Sequence, residues 1–326
     1  MTLVREVVPP VERPLIDELT TLWEQTFNVA SEALPPILQG DERDENRDYF
    51  YLVQADERVV GTSHLTVGPL DSELGGVGEV AVPFEYRRQG YATALCTAAR
   101  DRFRGLGGDA LFLGTVNPSA ARVYHRLGWR RLVGSTVMAC VTSERSPEEF
   151  VVDYFRAAGE TSCVSISSGS ARDRVPMIPL LLCPHDWQVL DFNVRLNSTR
   201  YEVQSSCMGL YPHYQELCKD DKGCWFSAHT QAGRLVGIAS ACVTQAGRAQ
   251  VDGMAHQLYL SVWEELIDTA VCWARSRSDV VEALVSVEDE DKRARFEACG
   301  FRPARSREIE TFQLAGREVG AGRLIL

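Results

Sequence analysis

Apolar positions along the first 142 residues change period several times. Residues 3–8 alternate as a strand does, and residues 14–27 place Leu15, Leu19, Leu22 and Trp23 on one helical face, with Pro14 suited to a first turn. Residues 49–54 and 59–67 read as strands joined by a polar turn. Residues 70–76 read as a further turn, and Glu79 to Val82 as the next strand. Leu95, Ala98, Ala99, Phe103 and Leu106 then form an inward helical stripe over residues 92–106, stopped by Gly105, Gly107 and Gly108. Residues 109–113 form a short buried strand. Asn117-Pro118-Ser119 opens a helix to Leu127, Gly128 ends it, and strands over 129–133 and 137–142 close the unit.

The later chain repeats this order in weaker form. Arg234-Leu235-Val236-Gly237 echoes Arg58-Val59-Val60-Gly61, and Cys299-Gly300-Phe301 echoes Leu127-Gly128-Trp129. Gly61 and Gly128 are 67 positions apart, Gly237 and Gly300 63. A helix over 258–275 and a strand over 281–287 fall where the duplicate requires them. The pattern predicts an α/β (α+β) chain with an internal duplication. The expected domains are 1–142 and 161–326, joined by a polar segment 143–160 that holds a connecting helix over 148–158.

At 326 residues the chain is long enough for two domains, and with 45% hydrophobic and 24% charged residues it has a globular composition. No run of 18 apolar residues occurs, which excludes a membrane-spanning helix, and the first residues lack the shape of a signal peptide. A cytoplasmic location is the expectation. The net charge of -11 argues against a nucleic-acid partner. Ten cysteines without a Cys-x-x-Cys pair read as reduced thiols. The Cys and His residues between Cys183 and His229 match no standard zinc spacing, so no metal is expected.

The segment from Val80 to Ala92 carries the chemistry. A strand leads through a basic turn, with Arg87, Arg88 and Gly90, into a helix N-terminus. Free first-turn N–H groups and the helix dipole make this an anion site sized for a pyrophosphate. The second copy, at residues 251–257, has no such turn, so the first copy is expected to do the chemistry.

Arg87-Arg88-Gln89-Gly90-Tyr91-Ala92, followed by Asn117, Tyr124 and Gly128-Trp129, resembles the GNAT superfamily of acyl-CoA-dependent N-acyltransferases. The resemblance covers residues 1–142 well and 225–315 weakly. It implies two GNAT-like domains, each a twisted, mixed, mainly antiparallel sheet flanked by helices, the second degenerate and structural or substrate-shaping. It further implies acetyl-CoA or another acyl-CoA as co-substrate. Val80, Ala81 and Val82 would pair with pantetheine. Gln89, Gly90, Tyr91, Ala92 and Thr93 would surround the pyrophosphate, with Arg87 and Arg88 adding charge. Tyr124 matches the family's general acid, which reprotonates the CoA thiolate. Asn117 matches a cofactor-contacting position and equally suits the N-cap of its own helix.

Relatives often carry a basic glutamate on the strand occupied here by Leu111-Phe112-Leu113-Gly114, where this chain has no acid. Glu79 is the nearest candidate base, acting directly or through water, with His64 and His125 weaker candidates. The implied acceptor is a small-molecule amine entering over residues 15–38 and 61–76, and the resemblance suggests bacterial specialised metabolism or antibiotic self-resistance. Three alternatives stay open: a different acyl donor (longer acyl-CoA, acyl carrier protein or aminoacyl-tRNA), a protein amine as acceptor, or a non-catalytic acyl-CoA sensor. Oligomeric state is not legible.

Overall fold

The computed structural model describes residues 3–28, 34–68, 73–156, 163–203, 207–305 and 309–326. They divide into two compact units. The first holds the described residues of Met1–Phe150, Arg174–Pro176 and Ser205–Met208, and the second those of Val151–Asp173, Met177–Gln204 and Gly209–Leu326.

In the first unit the chain runs β1 (Arg5–Val7), α1 (Arg13–Phe27), α2 (Leu34–Gln39), β2 (Arg47–Ala55), β3 (Arg58–Val67), β4 (Leu74–Ala81), α3 (Tyr91–Gly105), β5 (Ala110–Gly114), α4 (Pro118–Arg126), β6 (Arg130–Arg131) and β7 (Val137–Val141). The sheet order is β1-β2-β3-β4-β5-β7-β6, with β4 and β5 parallel and every other pair antiparallel. The two-residue period of β2 explains its burial on both faces. Tyr49, Tyr51 and Val53 pack with Leu95, Cys96, Ala99 and Phe103 of α3 and Tyr124 of α4. Phe50 and Leu52 pack with Ile16, Leu19, Leu22 and Trp23 of α1 and Ile37 and Leu38 of α2.

The reading of residues 70–76 as a turn is corrected from Leu74 onward; residues 70–72 lie outside the described set. Gly75 and Gly76 pair with Leu111 and Phe112 on one side and with Val67 and Thr66 on the other. Glycine there serves close approach rather than a bend: a Cβ on Gly76 would collide with the Sδ of Met208. The strand expected to reach Val82 ends at Ala81, and the strand expected over 129–133 shrinks to two residues.

Helix α5 (Pro147–Arg156) lies within the expected 148–158 helix, apart from its first residue; residues 157–158 are outside the described set. The second unit continues with β8 (Val164–Ser168), α6 (Met177–Leu182), β9 (Val189–Asp191), β10 (Leu196–Asn197), α7 (Leu210–Leu217), β11 (Gly223–Thr230), β12 (Leu235–Val243), β13 (Ala249–Ala255), α8 (Trp263–Arg275), β14 (Val281–Ser286), α9 (Glu290–Ala298), β15 (Arg302–Pro303), β16 (Glu310–Leu314) and β17 (Arg317–Ile325). Its main sheet is ordered β15-β17-β14-β13-β12-β11-β8, again with one parallel pair, β13 with β14. The expected helix from 258 begins as a 3-10 turn at Gln257–Val262, where Tyr259 leaves helical geometry, and becomes α-helical at Trp263. Tyr211 meets Trp225 edge-on and Tyr214 lies tilted against it, all three buried, so these aromatics pack a core.

Helices α4 and α9 match in detail. Both span nine residues and end at a glycine with positive φ, Gly128 and Gly300. The next residue's N–H bonds back to Tyr124 in one and to Phe296 in the other, at 3.1 Å each. Arg130 and Arg302 then donate to the same two kinds of carbonyl.

In the second unit a segment of its own spans the gap where β13 parts from β14 beyond Gln250. The Asp289 carboxylate accepts the N–H groups of Gln188 and Val189, Asp252 accepts that of Phe192 at 2.7 Å, and Lys292 Nζ donates to the carbonyls of Val189 and Leu190. Lys292 and Asp252 pair at 2.6 Å and are both fully enclosed. Desolvation raises the carboxyl pKa of Asp252, and Lys292 opposes that shift. Lys292→Met is therefore expected to lower the stability of the second unit by about 3–5 kcal/mol, because a buried charge loses its partner. Urea unfolding followed by tryptophan fluorescence measures this.

Candidate active site

The site starts from a strand that loses one neighbour. β4 pairs with β5 only at Leu74, Gly75 and Gly76, so among the described residues its second half has no partner on that side. On the other side Thr62 faces Ala81 while His64 faces Gly78, so two intervals of β3 oppose three of β4. The extra residue is Glu79, in left-handed backbone geometry at φ 48°. This is a β-bulge, which redirects a side chain and ends regular pairing. Left-handed geometry costs a non-glycine residue roughly 1–2 kcal/mol, and hydrogen bonds hold it in place. The Thr62 hydroxyl donates to the Glu79 carbonyl at 2.6 Å and accepts from Trp23 Nε1 at 2.9 Å.

The Glu79 side chain is 19% exposed, and its Oε2 lies 2.9 Å from His64 Nδ1. The other ring nitrogen, Nε2, lies 2.7 Å from Asp48 Oδ1, which also accepts from the Thr66 hydroxyl at 2.7 Å. Phe50 stacks on the imidazole at 4.2 Å. The Arg174 guanidinium pairs with Glu42 and lies 3.9 Å from Asp48. Burial on its own would lower the His64 pKa, but hydrogen bonds to Asp48 and Glu79, together with their charges, outweigh it and raise it to about 9. At neutral pH the ring is an imidazolium between two carboxylates.

Beyond Ala81 the chain turns through Phe84–Tyr86. Arg87 folds back and donates from Nε to the Val82 carbonyl at 2.9 Å, bracing the turn and using that carbonyl. Arg88 is exposed, with φ 65°. Gly90, at φ 84°, is the N-cap of α3 and has open space around it. It brings no side chain to cap the helix, and no acidic residue occupies the first turn. The N–H groups of Tyr91, Ala92 and Thr93 are therefore left for an anion. The matching helix α8 carries Glu264 and Glu265 in its first turn, a charge that repels anions.

Asn117 caps α4, its Oδ1 accepting from Ser119 N at 2.9 Å and Ala120 N at 3.4 Å. Tyr124 is buried in the core shared with Val77, Val80 and Cys96. Desolvation raises its pKa, with a smaller contribution from Cys96, so it stays a neutral phenol. Among the described residues its hydroxyl has no hydrogen-bond partner. His125 is exposed on the far side of α4 and takes no part in this arrangement. Asp48 carries no signal in the sequence, because it sits at the start of a strand where a polar residue is ordinary; only the register places it at His64. Among the described residues no group of three His, Cys, Asp or Glu side chains is placed to hold a metal, and no helix is long and apolar enough to cross a membrane.

Residues 16–129 match the model of the Acetyltransferase (GNAT) family. The match lies within the first unit and runs from α1 to the residue after the glycine that ends α4. Among solved structures, the chain is similar to spermidine N-acetyltransferase from Vibrio cholerae in complex with CoA and spermine, at 16% identity over 50% of this chain and 94% of that chain, with a TM-score of 0.36. It is likewise similar to the dodecameric spermidine N-acetyltransferase from Vibrio cholerae in an intermediate state, at 16% identity over 50% and 92%, with a TM-score of 0.37. No curated protein matches the chain.

The His64 pair of hydrogen bonds gives a stability signature. Its folded pKa, about 9, lies above the unfolded value of 6.5. The stabilisation is present in full below about pH 6.5 and is lost as pH rises through about 9, a loss on the order of 3 kcal/mol. Thermal unfolding from pH 6 to 10 is expected to show this decline in the native protein and a flatter profile in His64→Gln.

Proposed function

We propose that the protein transfers an acetyl group from acetyl-CoA to a primary amine of a small molecule, and that the first unit alone carries the reaction. The observation that supports this most strongly is the uncapped N-terminus of α3 directly after the half-unpaired strand β4. A pyrophosphate would sit on the N–H groups of Gly90 to Thr93, beside Gln89 and with Arg88 adding charge. Pantetheine would run along the free edge at Val80 and Ala81, reaching Val82 through its N–H. Asn117 is engaged as a helix cap, so any cofactor contact from it would come from its remaining amide nitrogen.

In this reading Glu79 removes the proton from the incoming ammonium group. The amine nitrogen then bonds to the thioester carbon, and the β4 backbone N–H groups stabilise the oxyanion. As the C–S bond breaks, the Tyr124 hydroxyl protonates the leaving thiolate, and the second proton that the nitrogen sheds on becoming an amide returns through solvent to the tyrosinate. The products are the amide and CoA. A phenol beside the apolar core suits this role because burial keeps it protonated until the thiolate forms.

The second unit we read as a degenerate copy that supports the first. Phe296 replaces the tyrosine, two glutamates occupy the helix start, and residues 188–193 span the diverging strands. We place the divide between the copies within 143–160. A role in specialised metabolism or antibiotic self-resistance is the finer form of this proposal, and it turns on which amine is accepted.

The test is calorimetric binding of acetyl-CoA, followed by thiol release against a panel of polyamines, monoamines and amino-bearing antibiotics. Tyr124→Phe is expected to lower kcat by about 10²–10⁴, with KM for acetyl-CoA changed by less than about twofold, as fits a group acting only in the transition state. Unchanged kcat in that variant would remove Tyr124 from the mechanism. Absence of acyl-CoA binding would sink the proposal as a whole.

A further inference from the structure

Buried between the β-bulge and the start of β2 lies a row of alternating charges: Arg174, Asp48, His64 and Glu79. Three of the four are almost fully enclosed; only Glu79 reaches solvent. A buried imidazole bonded on both sides to carboxylates is costly to build and poorly suited to a purely structural task, since an apolar side chain would fill the same space. The row terminates on the carboxylate that the mechanism uses as base.

We propose that His64, held by Asp48, is a positioning residue that fixes the Glu79 carboxylate for removal of the acceptor's proton, an inference resting on the reading of Glu79 as that base. The geometry gives each group a distinct task. Nδ1–H of His64 binds one Glu79 oxygen, Oε2, at 2.9 Å, and the other, Oε1, is the one assigned to the acceptor's proton. Asp48 holds Nε2–H at 2.7 Å and so fixes the ring plane, which Phe50 supports by stacking. Thr66 donates to Asp48, and Arg174 sets a positive charge beside it. Thr62 fixes the bulge from the backbone side. Cys207 lies near Glu79 as a thiol kept protonated by burial, so it adds no charge. His64 takes no proton from the substrate, because both ring nitrogens already carry one. Its removal changes where Glu79 points and leaves the base itself in the site.

Alkaline pH should mimic that removal. Loss of the His64 proton near pH 9 leaves one N–H for two carboxylates; with that N–H kept on the shorter bond to buried Asp48, the ring no longer donates to Glu79. The wild-type kcat is therefore expected to fall on an alkaline limb that His64 variants lack.

The experiment measures thiol release at saturating acetyl-CoA from pH 6 to 10, with water alone as acceptor and with spermidine as a probe amine. The variants are His64→Gln, Asp48→Asn, Glu79→Gln and the double variant His64→Gln/Glu79→Gln. His64→Gln is expected to lose about 10–100-fold in kcat, the scale of a misplaced catalytic group, with KM for acetyl-CoA within about twofold and no alkaline limb. Asp48→Asn is expected to lose less, and it keeps a side chain able to bond His64 should the glutamine variant fold poorly. The double variant is expected to be no slower than Glu79→Gln, because His64 acts only through that carboxylate. If Glu79→Gln is impaired while His64→Gln and Asp48→Asn retain full kcat, the positioning role is overturned and the base survives. If the losses of His64→Gln and Glu79→Gln multiply, His64 acts independently and the proposal fails. If Glu79→Gln turns over as fast as wild type, the reading of Glu79 as base itself falls.

Discussion

Two parallel strands that start together and then part govern the first unit. β4 and β5 share only three paired positions, and everything proposed for the site depends on what β4 does once released. A strand partly buried over Gly78–Val80 and, among the described residues, free along one edge leaves backbone N–H and C=O groups that need partners. A ligand with an extended amide chain can supply them. The bulge at Glu79 uses the same freedom: a fully paired strand would resist the extra residue, whereas a half-paired one needs register only with β3. The strand then ends at Ala81, and the turn that follows delivers the chain to the bare start of α3.

The second unit has the same topological break and resolves it differently. Its β13 and β14 also part early, but there residues 188–193 of the same unit are held by the side chains of Asp289, Asp252 and Lys292. One sheet order thus supports two different surroundings for the parting strands, and only the second copy has a bracketed segment there. The difference lies in a few side chains: a glycine or two glutamates near the helix start, a tyrosine or a phenylalanine on the following helix. Buried ion pairs add little net stability but tolerate no loss of one partner, so the bracketed segment is locked in place.

Much of this was legible in the sequence, because the signals were local. The turn from Arg87 to Ala92, the helix cap at Asn117 and the glycine at 128 each announce themselves within a few residues, and the helical stripe of α3 follows from its period. The carboxylate–imidazole row was not legible. Asp48, His64 and Glu79 stand about fifteen positions apart, and antiparallel register plus a one-residue bulge bring them together. Composition misled at Gly75 and Gly76, where glycine makes room for a neighbouring side chain instead of bending the chain. Arg174 could not have been placed at all, since it belongs to the first unit from within the second half of the sequence.

That last placement bears on how the protein is made. A nascent chain that has just exposed residue 150 has every strand of the first sheet yet lacks the guanidinium that faces Glu42 and Asp48 and the methionine that rests on Gly76. Emerging from the ribosome at roughly 5–20 residues per second, it waits several seconds more for residues 207–208. Until residue 174 emerges, Glu42 and Asp48 lack the Arg174 guanidinium, so synthesis of the seven strands and completion of the first unit are out of step. The order of translation therefore makes completion of the first unit wait for residues from the second half of the sequence.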